Sequence, residues 1–231
     1  MNTDNNLDAL GESSWSRRRF LAATASGVAL VGLAACSTDR ASTPDPAKPV
    51  DSDTSWSGEL VDPPLERPDF TFTDVNGDPF PFLEKTEGKL SFLFFGYTNC
   101  PDVCPIFMTS IARAIETIGT GPGSDAQVIF VGVDIERDTP EQLKTFLEAI
   151  NPDFIGLTGT EDVIVAANKA MFNPPIVIEE DPDGDGVYAV GHSSKVFAFT
   201  PDGLAHRIYP SDVRQKALVR DIPRLAAGQF K

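Results

Sequence analysis

The chain has 231 residues, of which 41% are hydrophobic, an amount that suits one globular domain with some additional segments. Its 34 acidic and 19 basic side chains give a formal charge of −15 with no long basic run, which argues against nucleic acid as a partner. Only three cysteines are present, Cys36, Cys100 and Cys104, which excludes a framework of several disulfides.

The first 35 residues are predicted to be an export signal. Three arginines, Arg17–Arg19, precede Phe20 and Leu21, and an uncharged run rich in alanine, glycine and valine follows. At about 14 residues this run is too short to span a bilayer, for which about 20 are needed. The order of residues resembles a twin-arginine signal; the alternative is an ordinary signal whose basic end holds three arginines.

Cys36 is expected to carry a lipid anchor. It follows Leu33-Ala34-Ala35, and these four residues resemble a bacterial lipobox, in which the chain is cut before the cysteine and the cysteine is acylated. We therefore expect the mature protein at the outer face of the bacterial cell membrane; the alternative is a cysteine placed there by chance. Residues 36–67 are rich in proline, serine and aspartate and are predicted to be a linker with a reach of about 30 Å.

Residues 68–231 are predicted to form one folded domain in which strands alternate with helices. Strands are expected at 70–75, 90–95, 127–134, 154–157, 187–199 (in two pieces) and 206–209. Helices are expected at 106–118, 140–150, 161–172 and 211–226. This order predicts an α/β, thioredoxin-like fold, with a central mixed sheet flanked by helices, an N-terminal hairpin and an inserted helix.

Cys100 and Cys104 lie where a buried strand is expected to pass into a helix. Unpaired backbone N–H groups and the helix dipole favour a thiolate at such a junction. If the first helical turn has already begun, the two cysteines share one face, with Cβ atoms about 5–6 Å apart. With Cys36 assigned to the lipid, the two remaining thiols can form a structural disulfide, a redox pair or part of a site for a soft metal ion.

Two further groups of polar residues have more than one interpretation. Asp134, Arg137 and Asp138 follow the second buried strand at the edge expected to hold the cysteines, where they shape the site, meet a partner or form a salt-bridged helix cap. Residues 181–186 imitate the start of a calcium loop, but the twelfth position of that loop is His192 rather than glutamate. A polar turn is therefore predicted there.

Three motifs, in this order, resemble the SCO/SenC family. They are Cys100-Pro-Asp-Val-Cys104-Pro105 after a phenylalanine-rich strand, Val133-Asp134-Ile-Glu-Arg137-Asp138-Thr139-Pro140-Glu141, and Gly191-His192-Ser193. The resemblance covers nearly the whole of residues 68–231. The family consists of thioredoxin-fold, membrane-tethered proteins that handle copper for cytochrome c oxidase assembly.

The resemblance implies that Cys100, Cys104 and His192 are the ligands of copper, as Cu(I) or Cu(II). It implies delivery to the binuclear copper site of cytochrome c oxidase subunit II or to another copper-site protein. Alternatively, the protein is a thiol–disulfide oxidoreductase that reduces the cysteines of that site. Two thiolates and an imidazole independently suit Cu(I). An inert disulfide between Cys100 and Cys104 is the third possibility.

His192 and His206 are the two histidines of the chain. A lone histidine is more often a surface or hydrogen-bonded residue than a ligand, and His206 is expected to be exposed. The place of His192 beside the cysteines is implied only by the resemblance. Tyr188 and Gly191 depart from the residues expected in the family at these positions.

Overall fold

The computed structural model describes residues 55–179 and 188–231. Within these ranges the chain forms ten strands and five helices. The strands are β1 (Glu59–Glu66), β2 (Thr71–Asp74), β3 (Pro79–Pro81), β4 (Ser91–Gly96), β5 (Gln127–Gly132), β6 (Ile155–Thr158), β7 (Val177–Ile178), β8 (Val190–Gly191), β9 (Lys195–Phe199) and β10 (Leu204–Pro210). The helices are α1 (Phe82–Thr86), α2 (Val103–Ile118), α3 (Pro140–Glu148), α4 (Glu161–Ala170) and α5 (Gln215–Ala226). The predicted signal peptide, Cys36 and the polar turn predicted at 181–186 lie outside the described residues.

Eight strands form one mixed sheet in the order β1-β10-β9-β4-β5-β6-β2-β3. β4, β5 and β6 are parallel to one another, and the other neighbouring strands are antiparallel. β7 and β8 form a separate two-stranded ladder. This central sheet with its flanking helices confirms the predicted α/β, thioredoxin-like class.

All six residues of β4 are buried, as expected of a strand covered on both faces. Its Phe94 ring packs against Phe107 of α2, with ring centroids 5.3 Å apart, and against Phe130 of β5 at 6.0 Å. Aromatic rings bury a large apolar area and prefer such edge-to-face arrangements. The packing holds the end of β4 in a fixed position relative to the first turns of α2.

The topology brings two loops to one edge of the sheet. The carboxyl ends of the parallel strands β4 and β5 meet at this edge. β9 runs antiparallel to β4, with Val196 opposite Phe94, so the segment that precedes β9 reaches the same edge. The loop after β4 carries the two cysteines, and the segment before β9 carries His192.

The linker predicted for residues 36–67 is wrong over its last part, because residues 59–66 form the edge strand β1. β1 pairs with β10 on both sides of an interruption that contains the cis peptide bond Asp62–Pro63. Pro63 and its neighbour Pro64 indicated a linker. An edge strand tolerates proline, however, since one of its sides makes no ladder hydrogen bonds. The folded domain therefore begins before residue 68.

Most other predicted elements are confirmed with small shifts of their ends. The N-terminal hairpin consists of β2 and β3, and Gly77 in its turn has a φ of 84°. Thr139 caps α3 by accepting a hydrogen bond from the backbone N–H of Gln142, at 3.3 Å. The short ladder of β7 and β8 is harder to predict, because two residues carry no periodic pattern. No helix in the described part of the chain is long and apolar enough to cross a membrane.

The exposed position expected for His206 is wrong. Its side chain is only 9% exposed, and its ring stacks on Phe230 with centroids 3.5 Å apart and planes inclined by 7°. Its Nε2 atom lies 2.8 Å from an oxygen of Asp202. The burial comes from the C-terminal residues packing over β10, a contact that no local sequence pattern indicates.

Candidate metal centre

The loop between β4 and α2 brings the two cysteines together. Cys104 lies in the first turn of α2, which begins at Val103, whereas Cys100 lies in the loop and donates its N–H to Tyr97 O at 3.1 Å. The sequence-based condition that both cysteines share a helical turn is therefore not met, and the turn that precedes the helix places them side by side. Both are free, buried thiols, Cys100 being 8% exposed and Cys104 0%.

His192 reaches the cysteines from the segment between β8 and β9. Its Nε2 lies 3.7 Å from Cys104 Sγ, and its Nδ1 lies 2.8 Å from the carbonyl oxygen of Ser193. A carbonyl oxygen only accepts hydrogen bonds, so Nδ1 carries the proton and Nε2 keeps a free lone pair on the side of the thiols. This is the orientation in which a histidine binds a metal ion.

The structure thus assembles all three predicted site residues. The Sγ atoms of Cys100 and Cys104 and a ring nitrogen of His192 all lie within 4.8 Å of one another. The rings of Tyr97 and Phe94 flank the imidazole, with centroids 5.4 and 6.0 Å away and near-perpendicular planes. Sequence reasoning missed Tyr97 as part of the site. Its only signal was its position between the buried strand and the first cysteine.

The pKa values of the two thiols are shifted in opposite directions. A hydrogen bond from the Cys104 thiol lowers the pKa of Cys100 to about 4, against the effect of burial, and the backbone of Asp102 acts in the same direction. The same hydrogen bond and burial raise the pKa of Cys104. At neutral pH the pair therefore holds one proton, on Cys104. The thiolate is the form of cysteine that binds metal ions and attacks disulfides.

We expect the reduced, metal-free protein to contain one thiolate at neutral pH and to lose it only as the pH falls towards 4. Cys104→Ala removes the hydrogen-bond donor, so the pKa of Cys100 should rise towards its ordinary value of about 8.5. Ultraviolet thiolate absorbance as a function of pH measures these titrations. A wild-type thiol that titrates at its ordinary pKa would contradict this assignment.

Gly96, the last residue of β4, packs directly against the site. A Cβ atom there would lie 2.8 Å from Cys104 Sγ and 2.8 Å from the Phe130 ring, closer than such atoms approach. Gly96→Ala should therefore destabilise the fold by about 1–3 kcal/mol and displace one of the three donors. Denaturant unfolding and the thiolate titration would measure the two effects. Gly159→Ala is the matched control, since the nearest atom to its Cβ would lie at 3.5 Å. Equal effects of the two variants would contradict the account.

Asp138 ties the cysteine loop to the loop after β5. One of its oxygens accepts hydrogen bonds from the backbone N–H and the hydroxyl of Thr98, at 2.8 and 2.7 Å. Its other oxygen accepts the N–H of Asp134 at 3.0 Å. Both aspartates are 0% exposed, and burial raises the pKa of Asp138. These carboxylates therefore help to fix the loop that carries the cysteines, and their burial excludes direct contact with a partner.

The fold and the site together define a class of protein: a thioredoxin-like domain with a Cys-Cys-His group of potential metal ligands at the end of its central strands. Comparison with known families makes the assignment more specific. The SCO1/SenC family model matches residues 59–227, and the chain belongs to this family. The match begins at the first residue of β1, in agreement with the corrected domain boundary.

Solved structures show the same relationship. Arabidopsis thaliana ScoI with copper bound is 26% identical and superimposes with a TM-score of 0.63, covering 71% of this chain and 99% of that one. A SCO1/SenC family lipoprotein from Bacillus anthracis str. Ames is 25% identical, with a TM-score of 0.57 and coverage of 71% and 97%. BsSco, described as a cytochrome c oxidase assembly protein with a disulfide switch, is 25% identical, with a TM-score of 0.54 and coverage of 74% and 97%.

Proposed function

We propose that the protein is a copper chaperone that binds Cu(I) through Cys100, Cys104 and His192. The observation that carries this proposal is the convergence of the three donor atoms within 4.8 Å. The ion is cargo, to be delivered to the binuclear copper site of cytochrome c oxidase subunit II or to another copper-site protein. The family to which the chain belongs, and its similarity to an oxidase assembly protein, support this partner.

The donor set fits Cu(I) better than zinc. Thiolate sulfur is a soft ligand that selects Cu(I), and imidazole binds copper as well. A structural zinc site takes four ligands, yet the described residues add no fourth histidine, cysteine or carboxylate to this group. A relative with a similar fold has copper bound. Three ligands also leave one side of the ion open, which suits transfer to a partner.

We further propose that the chaperone is anchored in the outer face of the cell membrane through an acylated Cys36. The lipobox-like residues before Cys36 support this anchor, as does the similarity to a lipoprotein of Bacillus anthracis. Because β1 begins at Glu59, the linker predicted from the sequence ends before this residue. The mass of membrane-extracted protein tests the anchor, since an unmodified Cys36 would contradict it.

His192→Ala separates the copper site from its alternatives. The reduced wild-type protein should bind one Cu(I), and the variant should bind it about 100-fold more weakly. Removing a residue that hydrogen-bonds to a metal ligand lowers metal affinity by about 10- to 100-fold, and removing the ligand itself should cost at least as much. Competition with a Cu(I) chelator measures both affinities. His206→Ala is the matched control, since the other histidine packs on Phe230 and is not among the donors. Unchanged stoichiometry and affinity in His192→Ala would disprove the three-ligand site.

A thiol–disulfide oxidoreductase is the second candidate, favoured by the two free thiols side by side. The Cys100 thiolate would attack a target disulfide, forming a mixed disulfide and releasing one target thiolate. Cys104, after losing its proton to that thiolate, would displace the second target sulfur and leave a Cys100–Cys104 disulfide. A dithiol donor would then have to reduce this disulfide. Wild-type protein that binds no copper but catalyses the reduction would establish this function instead, and His192→Ala would not affect it.

A further inference from the structure

A contact between two loops holds the segment that carries His192. It consists of Asp134, Arg137 and Tyr188, here named the Tyr188 latch. The Arg137 guanidinium lies 3.5 Å from the centre of the Tyr188 ring, and its Nη2 donates to the Tyr188 carbonyl oxygen at 3.1 Å. The Tyr188 hydroxyl donates to Asp134 at 3.0 Å, and Arg137 Nε donates to the other oxygen of the same carboxylate. The ring and the carbonyl oxygen of Tyr188 therefore contact Arg137, and its hydroxyl contacts Asp134.

In the segment after Tyr188, Val190 is buried in the core, but the strand pairing is short. β8 pairs only with β7, through Val190 opposite Ile178 and Gly191 opposite Val177, and this ladder is not part of the main sheet. A two-stranded ribbon of two residues each is at best marginally stable by itself. His192 follows it directly, before the chain enters the main sheet at β9. The contacts of Tyr188 are thus well placed to fix the ribbon and the histidine after it.

The latch and the metal centre also share a neighbour. The Tyr97 ring packs edge-on against the His192 imidazole, with centroids 5.4 Å apart, and the Arg137 guanidinium lies 5.9 Å from its centre. Asp134 is fully buried and Arg137 is 17% exposed, so the charged pair is largely removed from solvent. Removing one partner of a buried charged pair is strongly destabilising, because it leaves the other charge buried without its partner.

We propose that Arg137 and Tyr188 are positioning residues that hold His192 against the two cysteines. The expected effect on copper binding rests on the proposed function, whereas the effect on the position of the histidine does not. Arg137 lies over Tyr97, whose ring packs on the imidazole, and neither Arg137 nor Tyr188 belongs to the group of donors that could hold a metal ion.

The first test needs no metal. The N–H of Glu179 donates to Ala189 O at 3.0 Å and so reports on the ribbon. In Tyr188→Ala and Arg137→Lys, hydrogen exchange at Glu179 should be at least about tenfold faster, since the ribbon opens more easily. Exchange at Phe197 in β9 should be unchanged. Tyr188→Phe, which keeps the ring on Arg137, should show a smaller increase than Tyr188→Ala. Unchanged exchange at Glu179 in Tyr188→Ala and Arg137→Lys would overturn the latch.

The second test measures the histidine as a ligand. Cu(I) affinity should fall about 10- to 100-fold in Tyr188→Ala and Arg137→Lys, and the imidazole signal in X-ray absorption should weaken, while both sulfur ligands remain. Arg224→Lys is the matched control. Arg224 also lies over an aromatic ring, that of Trp56 at 3.7 Å, and also pairs with an aspartate three residues earlier, Asp221.

The outcomes separate the two proposals. Weakened affinity with loss of the imidazole signal in both latch variants, and not in Arg224→Lys, supports the latch. Full imidazole ligation with unchanged affinity in both latch variants overturns it. A wild-type protein that binds no copper, or binds it without imidazole, overturns the proposed function instead. In that case the exchange test still decides whether the latch holds the ribbon.

Discussion

Replacing either Cys100 or Cys104 by serine is expected to weaken Cu(I) binding by more than about 100-fold. Changes in residues behind metal ligands already cost 10- to 100-fold in affinity, and each of these substitutions removes a ligand atom itself. A serine hydroxyl is a hard, neutral oxygen at neutral pH, whereas Cu(I) prefers soft thiolate sulfur. Chelator competition and copper stoichiometry after gel filtration measure the loss.

Cys36→Ser is the matched control for this prediction. It makes the same chemical change at the remaining cysteine of the chain, which is assigned to the lipid anchor and not to the metal centre. Its Cu(I) affinity should equal that of the wild type, while its association with membranes should be lost. Cys104→Ser requires a melting curve as well, because its side chain is 0% exposed and its thiol is the hydrogen-bond donor to Cys100. Retained tight binding in a folded Cys100→Ser or Cys104→Ser protein would contradict the site.

Arg67→Met is expected to destabilise the fold by about 3–5 kcal/mol, the largest stability effect that we predict, because it removes several hydrogen bonds made by a charged donor. The Arg67 guanidinium is buried and donates hydrogen bonds to the carbonyl oxygens of Thr86, Lys89 and Thr200, the latter two at 2.9 and 3.1 Å. It also lies 5.2 Å from the centre of the Phe199 ring. Methionine fills a similar volume but leaves all three carbonyls without these donors.

Arg67 therefore joins the segment after β1 to the start of β4 and the end of β9. Burial lowers its pKa to about 10, so it remains charged at neutral pH. Denaturant unfolding measures the loss of stability. Arg113→Met on the exposed face of α2 is the control, and it should change stability by less than about 0.5 kcal/mol. A similar, small effect at both positions would contradict the role given to Arg67.

The sequence allowed the alternation of strands and helices to be predicted because buried strands and amphipathic helices carry local patterns. β4 is a continuous apolar run, and α3 begins at a capping threonine followed by proline. β1 was assigned to a linker because its prolines are typical of one. Its pairing with β10 joins residues far apart in the chain, and no local pattern contains that information.

The candidate site, like the fold, could be predicted from the sequence only in part. The proximity of Cys100 and Cys104 follows from their spacing, although the loop rather than the helix produces it. His192 lies 88 residues after Cys104, and only the antiparallel pairing of β9 with β4 brings it to the same edge. Its place came from resemblance to a family. The contacts of Tyr188 with Arg137 depend on side-chain packing between two loops, which sequence spacing does not reveal.

The central claim is that copper is bound by two sulfurs and one imidazole nitrogen. X-ray absorption spectroscopy of the reduced, purified protein loaded with one equivalent of Cu(I) tests it most directly. The arrangement of Cys100, Cys104 and His192 predicts two sulfur ligands and one nitrogen ligand, with the nitrogen lost in His192→Ala and retained in His206→Ala. A wild-type spectrum without an imidazole nitrogen, or one that is the same in His192→Ala, would contradict it.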